Sequence, residues 1–468
     1  MICEYKDGTH QAINLNPNIQ KNGGGGFYVS NIMLTELKVG DKFKKNDLLA
    51  WHKDYFTHNR SNGDRLNIGT LTKIAIMSSY NTFEDSSFIT KKLSDDAATE
   101  MCFNKQVTLG RNSNVEYMVK VGQHVNIGDS LIQFDTSFED NELNALLNSI
   151  GEELQESVLA DSRNDVKSKI AGVVEDIKIY STVELSELSP SLQKIVGNYY
   201  KKINAKKKLL EQYDPDSSII KCGLLFDEST KKITPNKFGV VKGQKLEDGV
   251  LIEFYLKHEE LLEVGSKIAY YTALKSVVGE ILPEGYEPYS ELHPEEEISS
   301  IIASNSILAR MTPSILLACL GNKVLVELKR KLQTIFTMEN KDTRRETMTN
   351  LIYRLFTAFD KSGTNTKYYK SLFEPMSDSQ FENYFKILFS DDKAYLILNI
   401  VDYENTIKME DIERAAKVLK IPLYEKVYLP HITMNKDQVV TTKENVPVGY
   451  VHIKRTQQTL KYAKSRGV

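Results

Sequence analysis

Apolar and polar residues alternate with a period of two through much of the first third and the centre of the chain. Helical spacing takes over in the last third. The words VGDKFKKNDLLAW (39–51) and VGQHVNIGDSLIQF (121–134) share one form and predict strand, turn and strand. Between 138 and 160 the period changes. Leu143, Leu146, Leu147 and Ile150 make one apolar helix face, with Glu139, Asp140 and Glu142 at its N-terminal end. That face serves either its own domain or a docked partner. KIAGVVEDIKIY (169–180) returns to strand, and 183–213 predicts a basic helix whose lysines make a solvated face or touch nucleic acid. LIEFYLK (251–257) and VVGEIL (277–282) read as further strands. Thr312-Pro313-Ser314 predicts a capped, proline-started helix, and 320–425 reads as mostly helical. Residues 1–30, with Gly23 to Gly26, predict a flexible leader. The fold class expected is therefore α+β, β-rich with inserted helical segments.

Composition narrows this reading without deciding it. The chain has 468 residues and a net charge of −3, so any nucleic-acid contact must come from a local patch. Cys3, Cys102, Cys222 and Cys319 form no C-x-x-C, which argues against structural zinc and a disulfide framework. No apolar run reaches membrane-spanning length, and the first residues do not resemble a signal peptide. The glycine run lacks the Gly-Lys-Ser/Thr of a phosphate loop. A calcium loop at 359–371 fails at Asn365 and Ser371. His258-Glu259-Glu260 lacks the second histidine of a zinc helix, and His52 and His58 have no ligand spacing. Asp214-Pro215-Asp216 reads as a turn.

The candidate chemistry lies in LEVGSKIAYYTALKSVVGEILP (262–283), where Lys267 and Lys275 stand eight residues apart. A straight strand would separate them by about 26 Å and a helix by about 12 Å. To grip one polyphosphate, the chain must double back between them.

This segment resembles the active-centre segment of the β subunit of multisubunit RNA polymerases, roughly V-G-D-K, x7, K-G-V-I-S-K-I-x-P. The family's R-H-G-N is Tyr271-Thr272-Ala273-Leu274 here, and its glycine after the second lysine is Ser276. Other words follow in family order. KIAIMSSYNTFEDSSFITKKLSDD is similar to V-A-x-M-P-x-x-G-Y-N-x-E-D, with Tyr80, Asn81, Glu84, Asp85, Ser86 and Asp96 at matching positions. Arg310-Met311 matches G-V-P-S-R-M, and Pro447, Val448, Gly449 and Tyr450 match P-V-T-V-G-Y. The likeness covers roughly 35–180, 250–315 and 445–465, with 320–425 as insertion or divergent filler. It is that of a C-terminal β half without the terminal clamp, as in polymerases of very large bacteriophages with split β and β′ subunits.

The resemblance implies a double-psi β-barrel and a flap-like β domain. Along the chain it implies a β-rich active-centre segment at 31–137 and a flap-like region at 138–248. The barrel segment follows at 249–318, the helical region at 319–425, and a C-terminal β-like segment at 426–468. It implies DNA-directed RNA synthesis, a nucleotidyl transfer, in which Lys267, Lys275 and Arg310 contact the RNA 3′ end and nucleotide phosphates. Glu84 and Asp85 lie near the second metal or orient the basic side chains. It further implies that Leu143, Leu146, Leu147 and Ile150 dock a promoter-specificity factor. Mg²⁺ belongs to an N-A-D-F-D-G-D triad, absent here, on a β′-like partner, so the lone chain is expected to be inactive. The other partners implied are an N-terminal β-like subunit, template DNA, RNA and NTPs, in the host cytoplasm or the virion. Two other readings stay open: a non-catalytic scaffold subunit, and a stand-alone carbohydrate or phosphate enzyme using Asp214 and Asp216.

Overall fold

The computed structural model describes residues 1–15, 18–21, 28–53, 55–59, 63–80, 82, 85–135, 163–216, 226–227, 232–233, 249–271, 274–338, 340–399, 407–435 and 437–456. The chain forms two compact units, and each is entered twice. One comprises Met1–Lys53 and Glu100–Glu260, the other Asp54–Thr99 and Leu261–Val468. Consecutive stretches of sequence therefore do not correspond to units. Among the described residues no helix is long and apolar enough to cross a membrane.

The first unit is a β structure with one long helix. Its six-stranded sheet runs in the order His124–Val125, Gly172–Ser181, Gly249–Glu260, Thr99–Gly110, Tyr28–Asn31, Asn18–Lys21. A three-stranded sheet joins Asn114–Met118, Ser130–Asp135 and Arg163–Lys167. Val174, Ile252, Phe254 and Leu256 form part of its core with Leu192 and Val196 of the predicted basic helix, which spans Pro190–Tyr213. The reading of 1–30 as a flexible leader is corrected. Ile2–Glu4 pairs with His10–Ala12, and Asn18–Lys21 with Tyr28–Asn31. Polar composition misled here, because short edge strands need few apolar residues.

The two V-G words are two copies of one local design. The Asp41 and Asp47 carboxylates accept from the Lys38 and Lys44 amides; Gln123 and Asp129 accept from Lys120 and Asn126 in the same way. Gly40 and Asn46, like Gly122 and Gly128, take positive φ where these turns require it. Only the second copy carries the predicted strand pair. In the first, the last residues alone form a strand, Trp51–His52 paired with Met33–Leu34.

The second unit is built around a closed six-stranded barrel, whose strands we number in chain order: β1 (Thr70–Ile76), β2 (Ser86–Thr90), β3 (Lys267–Tyr270), β4 (Leu274–Leu282), β5 (Ser300–Ile302) and β6 (Val446–Arg455). The ring runs β3-β4-β2-β5-β1-β6 and closes by pairing of β6 with β3. The β2–β4 and β1–β5 pairs are parallel and the others antiparallel. Ile74, Ile89, Ile268, Val278, Val451 and Ile453 fill the interior.

Five helices of this unit follow the barrel's central strands: α1 (Ser314–Met338), α2 (Lys341–Phe359), α3 (Thr364–Phe373), α4 (Asp378–Ser390) and α5 (Met409–Leu419). Alone among them, α1 belongs to two cores. Ile315 and Cys319 pack with the barrel interior, while Leu320, Val324, Leu328 and Leu332 enter the helical core. Gly449 on β6 makes the approach possible, since a Cβ there would lie 2.3 Å from the Cys319 carbonyl oxygen. A row of rings, Phe356, Tyr369, Phe373, Phe381 and Phe385, stacks through the middle of the bundle. The helical region is thus an integral continuation of the barrel.

Candidate active site on the barrel

The lysine segment folds as a hairpin of β3 and β4. Lys267 stands opposite Val277 and Ala269 opposite Lys275. The doubling back required by the spacing is present. A turn over Glu263 to Ser266 leads into it, with Gly265 at φ +87°, the third turn position that favours glycine. Side chains alternate strictly across both strands. Ile268 and Tyr270 point in, as do Leu274 and Ser276, while Lys267 and Lys275 are exposed. The two lysines are diagonal neighbours on one face, a relation that holds Cα atoms about 7–8 Å apart. Tyr270 anchors the hairpin from below, its hydroxyl 2.7 Å from the Ser300 Oγ on β5.

A third lysine joins this face. Ala269 pairs with Lys275 on one side and with Lys454 of β6 on the other. Lys275, Ala269 and Lys454 therefore form a row across three strands, with the two lysine Cα atoms roughly 10 Å apart. Lys454 is not among the sequence-predicted residues. Its local signal was the alternation of buried Val451 and Ile453 with more exposed His452 and Lys454. Its neighbours lie about 180 residues away in sequence, and only barrel closure brings them together.

Arg310 and Asp85 meet directly. Arg310 caps the short helix Ser304–Ala309 that leaves β5, and its guanidinium forms an ion pair with the Asp85 carboxylate at the start of β2. Their side chains are 38% and 45% exposed, so the pair contributes little to stability, about 0–1 kcal/mol. The Asp85 carbonyl is fixed to β4. It accepts from the Val277 amide at 3.0 Å and from the Ser276 hydroxyl, which also lies 3.0 Å from Ser87 Oγ. Ser276, a departure from the family pattern, thus ties β2 to β4 one residue from Lys275. The structure brings Lys267, Lys275, Arg310 and Asp85 onto neighbouring elements of one barrel. Glu84 and the helix-face residues Leu143, Leu146, Leu147 and Ile150 lie outside the described residues.

A second set of charges lies under α1. Lys323 and Glu425 form an ion pair with side chains only 3% and 1% exposed, and Glu425 also accepts from the Leu292 amide at 2.8 Å. Lys73 of β1 donates to the backbone oxygens of His293 and Glu296 at 3.1 and 3.0 Å. Arg330 bridges Glu296 and Glu327 at 2.6 and 2.7 Å, and Tyr450 donates to Glu296 at 2.7 Å. Burial pushes the Glu296 carboxyl up, but Tyr450, Arg330 and Lys73 outweigh it and hold it below its ordinary value. Glu425 behaves likewise, with burial overcome chiefly by the Lys323 charge. Burial pushes the Lys73 ammonium down. These groups pin the segment 291–299, which runs directly into β5 and the Arg310 turn.

Among the described residues no group of three or more His, Cys, Asp or Glu side chains comes together to hold a metal. The Asp85 carboxylate is already engaged by Arg310. The described side chains do not fit Mg²⁺, and no step is routed through it here. Asp214 accepts from the Ala12 amide at 2.7 Å and serves as a tether.

The family model described as RNA polymerase Rpb2, domain 6, matches residues 80–387, about two thirds of the chain. The match runs through the 320–387 helices, which corrects their reading as divergent filler. No curated protein matches the chain.

Proposed function

Since the chain belongs to the RNA polymerase Rpb2, domain 6, family and is a β-type subunit of a multisubunit DNA-directed RNA polymerase, we propose that its barrel face supplies the basic side chains that position the RNA 3′ end and the incoming NTP. The observation that carries this reading is the placement of Lys267 and Lys275 as exposed diagonal neighbours on one hairpin.

The substrate is polyanionic, and the transition state gathers charge on phosphoryl oxygens. Lys267 and Lys275 act as point charges on flexible stems that neutralise these oxygens. Preorganised cations facing developing negative charge lower the barrier without reorganising during the reaction. Arg310 brings a planar fork that takes two phosphate oxygens at once. Before substrate arrives, Asp85 holds that fork, and the triphosphate then exchanges with Asp85 for it. A carboxylate facing a polyphosphate repels it, so this exchange is favourable only while the arginine stands between them.

When bound, Mg²⁺ supplies Lewis-acid and templating chemistry. On this reading its ligands are the aspartates of a β′-like partner, and the chain alone does not polymerise. The two parallel pairs of the ring support a double-psi barrel. The first unit is then the flap-like β domain, with the 138–160 segment as the dock for a promoter-specificity factor. Template DNA, RNA, NTPs and an N-terminal β-like subunit complete the assembly, in a jumbo bacteriophage with divided β and β′ chains, acting in host cytoplasm or virion. The subunit composition of the purified complex tests that assignment.

The direct test is Lys275→Ala in the assembled polymerase. RNA synthesis should fall at least a hundredfold, about 2.7 kcal/mol of transition-state stabilisation, with assembly unchanged. Undiminished synthesis would contradict the site.

A further inference from the structure

Beside the lysine face lies a cleft of about 410 Å³, within the roughly 300–1,000 Å³ range of ligand sites. Its lining includes Tyr55, Leu66, Tyr271, Leu274, Lys275 and Lys454. Two features set it apart from an ordinary surface dent. Tyr55 and Tyr271 are each 48% exposed, whereas the neighbouring Tyr270, also in the lining, is buried with its hydroxyl spent on Ser300. Lys275 and Lys454 bracket Ala269, whose small side chain leaves the space between them open. The Lys454 ammonium lies 5.8 Å from the centre of the Tyr55 ring. The two rings are held by backbone bonds. The Tyr271 amide donates to the His452 carbonyl at 2.9 Å, and the Tyr55 carbonyl accepts from the Asn67 amide at 2.7 Å.

Rigidly held tyrosines beside paired ammonium groups are the two halves of a nucleotide site. The rings offer flat apolar surface for a base, which every base can use, and the lysines offer charge for the adjoining phosphates. A purely anionic ligand would leave the tyrosines unused, and a purely apolar one would leave the two lysines unused. We propose that this cleft seats one nucleotide of single-stranded RNA, its base against Tyr55 and Tyr271 and its phosphates at Lys275 and Lys454. The inference rests on the polymerase reading and specifies it, because sharing Lys275 makes the occupant a nucleotide of the product strand next to the reacting end. Tyr271 stands in the segment where the family carries R-H-G-N. Stacking on tyrosine here takes up a holding task at a place where the pattern has basic residues.

The test is binding of a 5′-fluorescein single-stranded RNA nonamer to the full chain, followed by fluorescence anisotropy at low salt. Tyr271→Ala should weaken binding about tenfold, the scale of one stacked base, and Tyr271→Phe should restore it. Lys454→Ala should weaken binding and flatten its salt dependence. An oligomer with abasic residues should bind the wild type as weakly as normal RNA binds Tyr271→Ala. UTP should displace the RNA only at far higher concentration. Both tyrosine variants should keep the wild-type far-UV CD spectrum, which removes misfolding as a cause. The proposal is overturned if the wild type does not bind the RNA, if abasic and normal RNA bind alike, or if UTP competes as well as RNA. Failure here leaves Lys275-dependent RNA synthesis intact. Failure of the polymerase reading would instead show as synthesis indifferent to Lys275 while Tyr271-dependent RNA binding persists.

Discussion

The barrel unit carries two sets of charges made of the same residue types. On the hairpin face, Lys267, Lys275 and Lys454 are exposed, and Arg310 shares a half-exposed ion pair with Asp85. Under α1, Lys73, Lys323 and Arg330 are held by Glu296, Glu327, Glu425 and backbone carbonyls. The first set costs the fold little and stabilises it little, because water already solvates it. The second would be expensive to leave incomplete, because a buried charge without its partner keeps the whole desolvation penalty. Lysine and arginine thus have opposite meanings within one domain: exposed and convergent, they are available to a ligand; buried and paired, they are part of the architecture. Nothing in the residue type separates the two cases. Burial and partners do.

The largest contrast should come from Lys323→Ala. Removing one partner of the buried pair should destabilise the chain by about 3–5 kcal/mol, read as a lowered urea midpoint. A loss below about 1 kcal/mol would erase the distinction drawn here. Next is Arg310→Ala, which should leave the urea midpoint within about 1 kcal/mol of wild type. The same variant should lower kcat/KM for NTP about a hundredfold in the assembled polymerase, about 2.7 kcal/mol. If stability falls and catalysis does not, Arg310 belongs with the buried set.

Acid should separate the sets more gently. Glu296 and Glu425 have folded values held below their ordinary 4.5. Their stabilisation is therefore complete above about pH 4.5 and is lost as pH falls through the lower folded values. Urea midpoints measured downward from pH 6 should decline below that point in wild type and less steeply in Glu425→Gln. Parallel curves would contradict the sign. The smallest effect belongs to Asp85→Ala. Losing the group that orients Arg310 should lower kcat/KM only a few-fold, about 1 kcal/mol or less. A loss equal to that of Arg310→Ala would mean that Asp85 itself touches the reacting groups.

Local signals were legible in the sequence, and barrel closure was not. The hairpin of β3 and β4 follows from the spacing of Lys267 and Lys275 and from Gly265 in its turn. The α1–α5 helices follow from their period, and the strands Gly172–Ser181 and Gly249–Glu260 from alternation. What stayed hidden depends on contacts between distant segments. Lys454 faces Lys275 only because β6 closes the ring, and Ser276 acquires a task only because β2 lies beside it. Lys323 reads as one more surface lysine on a helix until Glu425, about 100 residues later, is seen against it. The short strands at the N-terminus carry too few apolar residues to announce themselves. Asp85 and Arg310 were each singled out, but their pairing was not, because nothing local links residues 225 positions apart.

The most direct measurement compares Lys275→Ala with wild type in the purified multisubunit complex, assaying RNA synthesis on template DNA with subunit stoichiometry and urea stability as controls. The expected result is at least a hundredfold less RNA at unchanged composition and stability. Full synthesis by that variant, or a loss explained by unfolding, would contradict the claim that the exposed lysine face of this barrel meets the substrate.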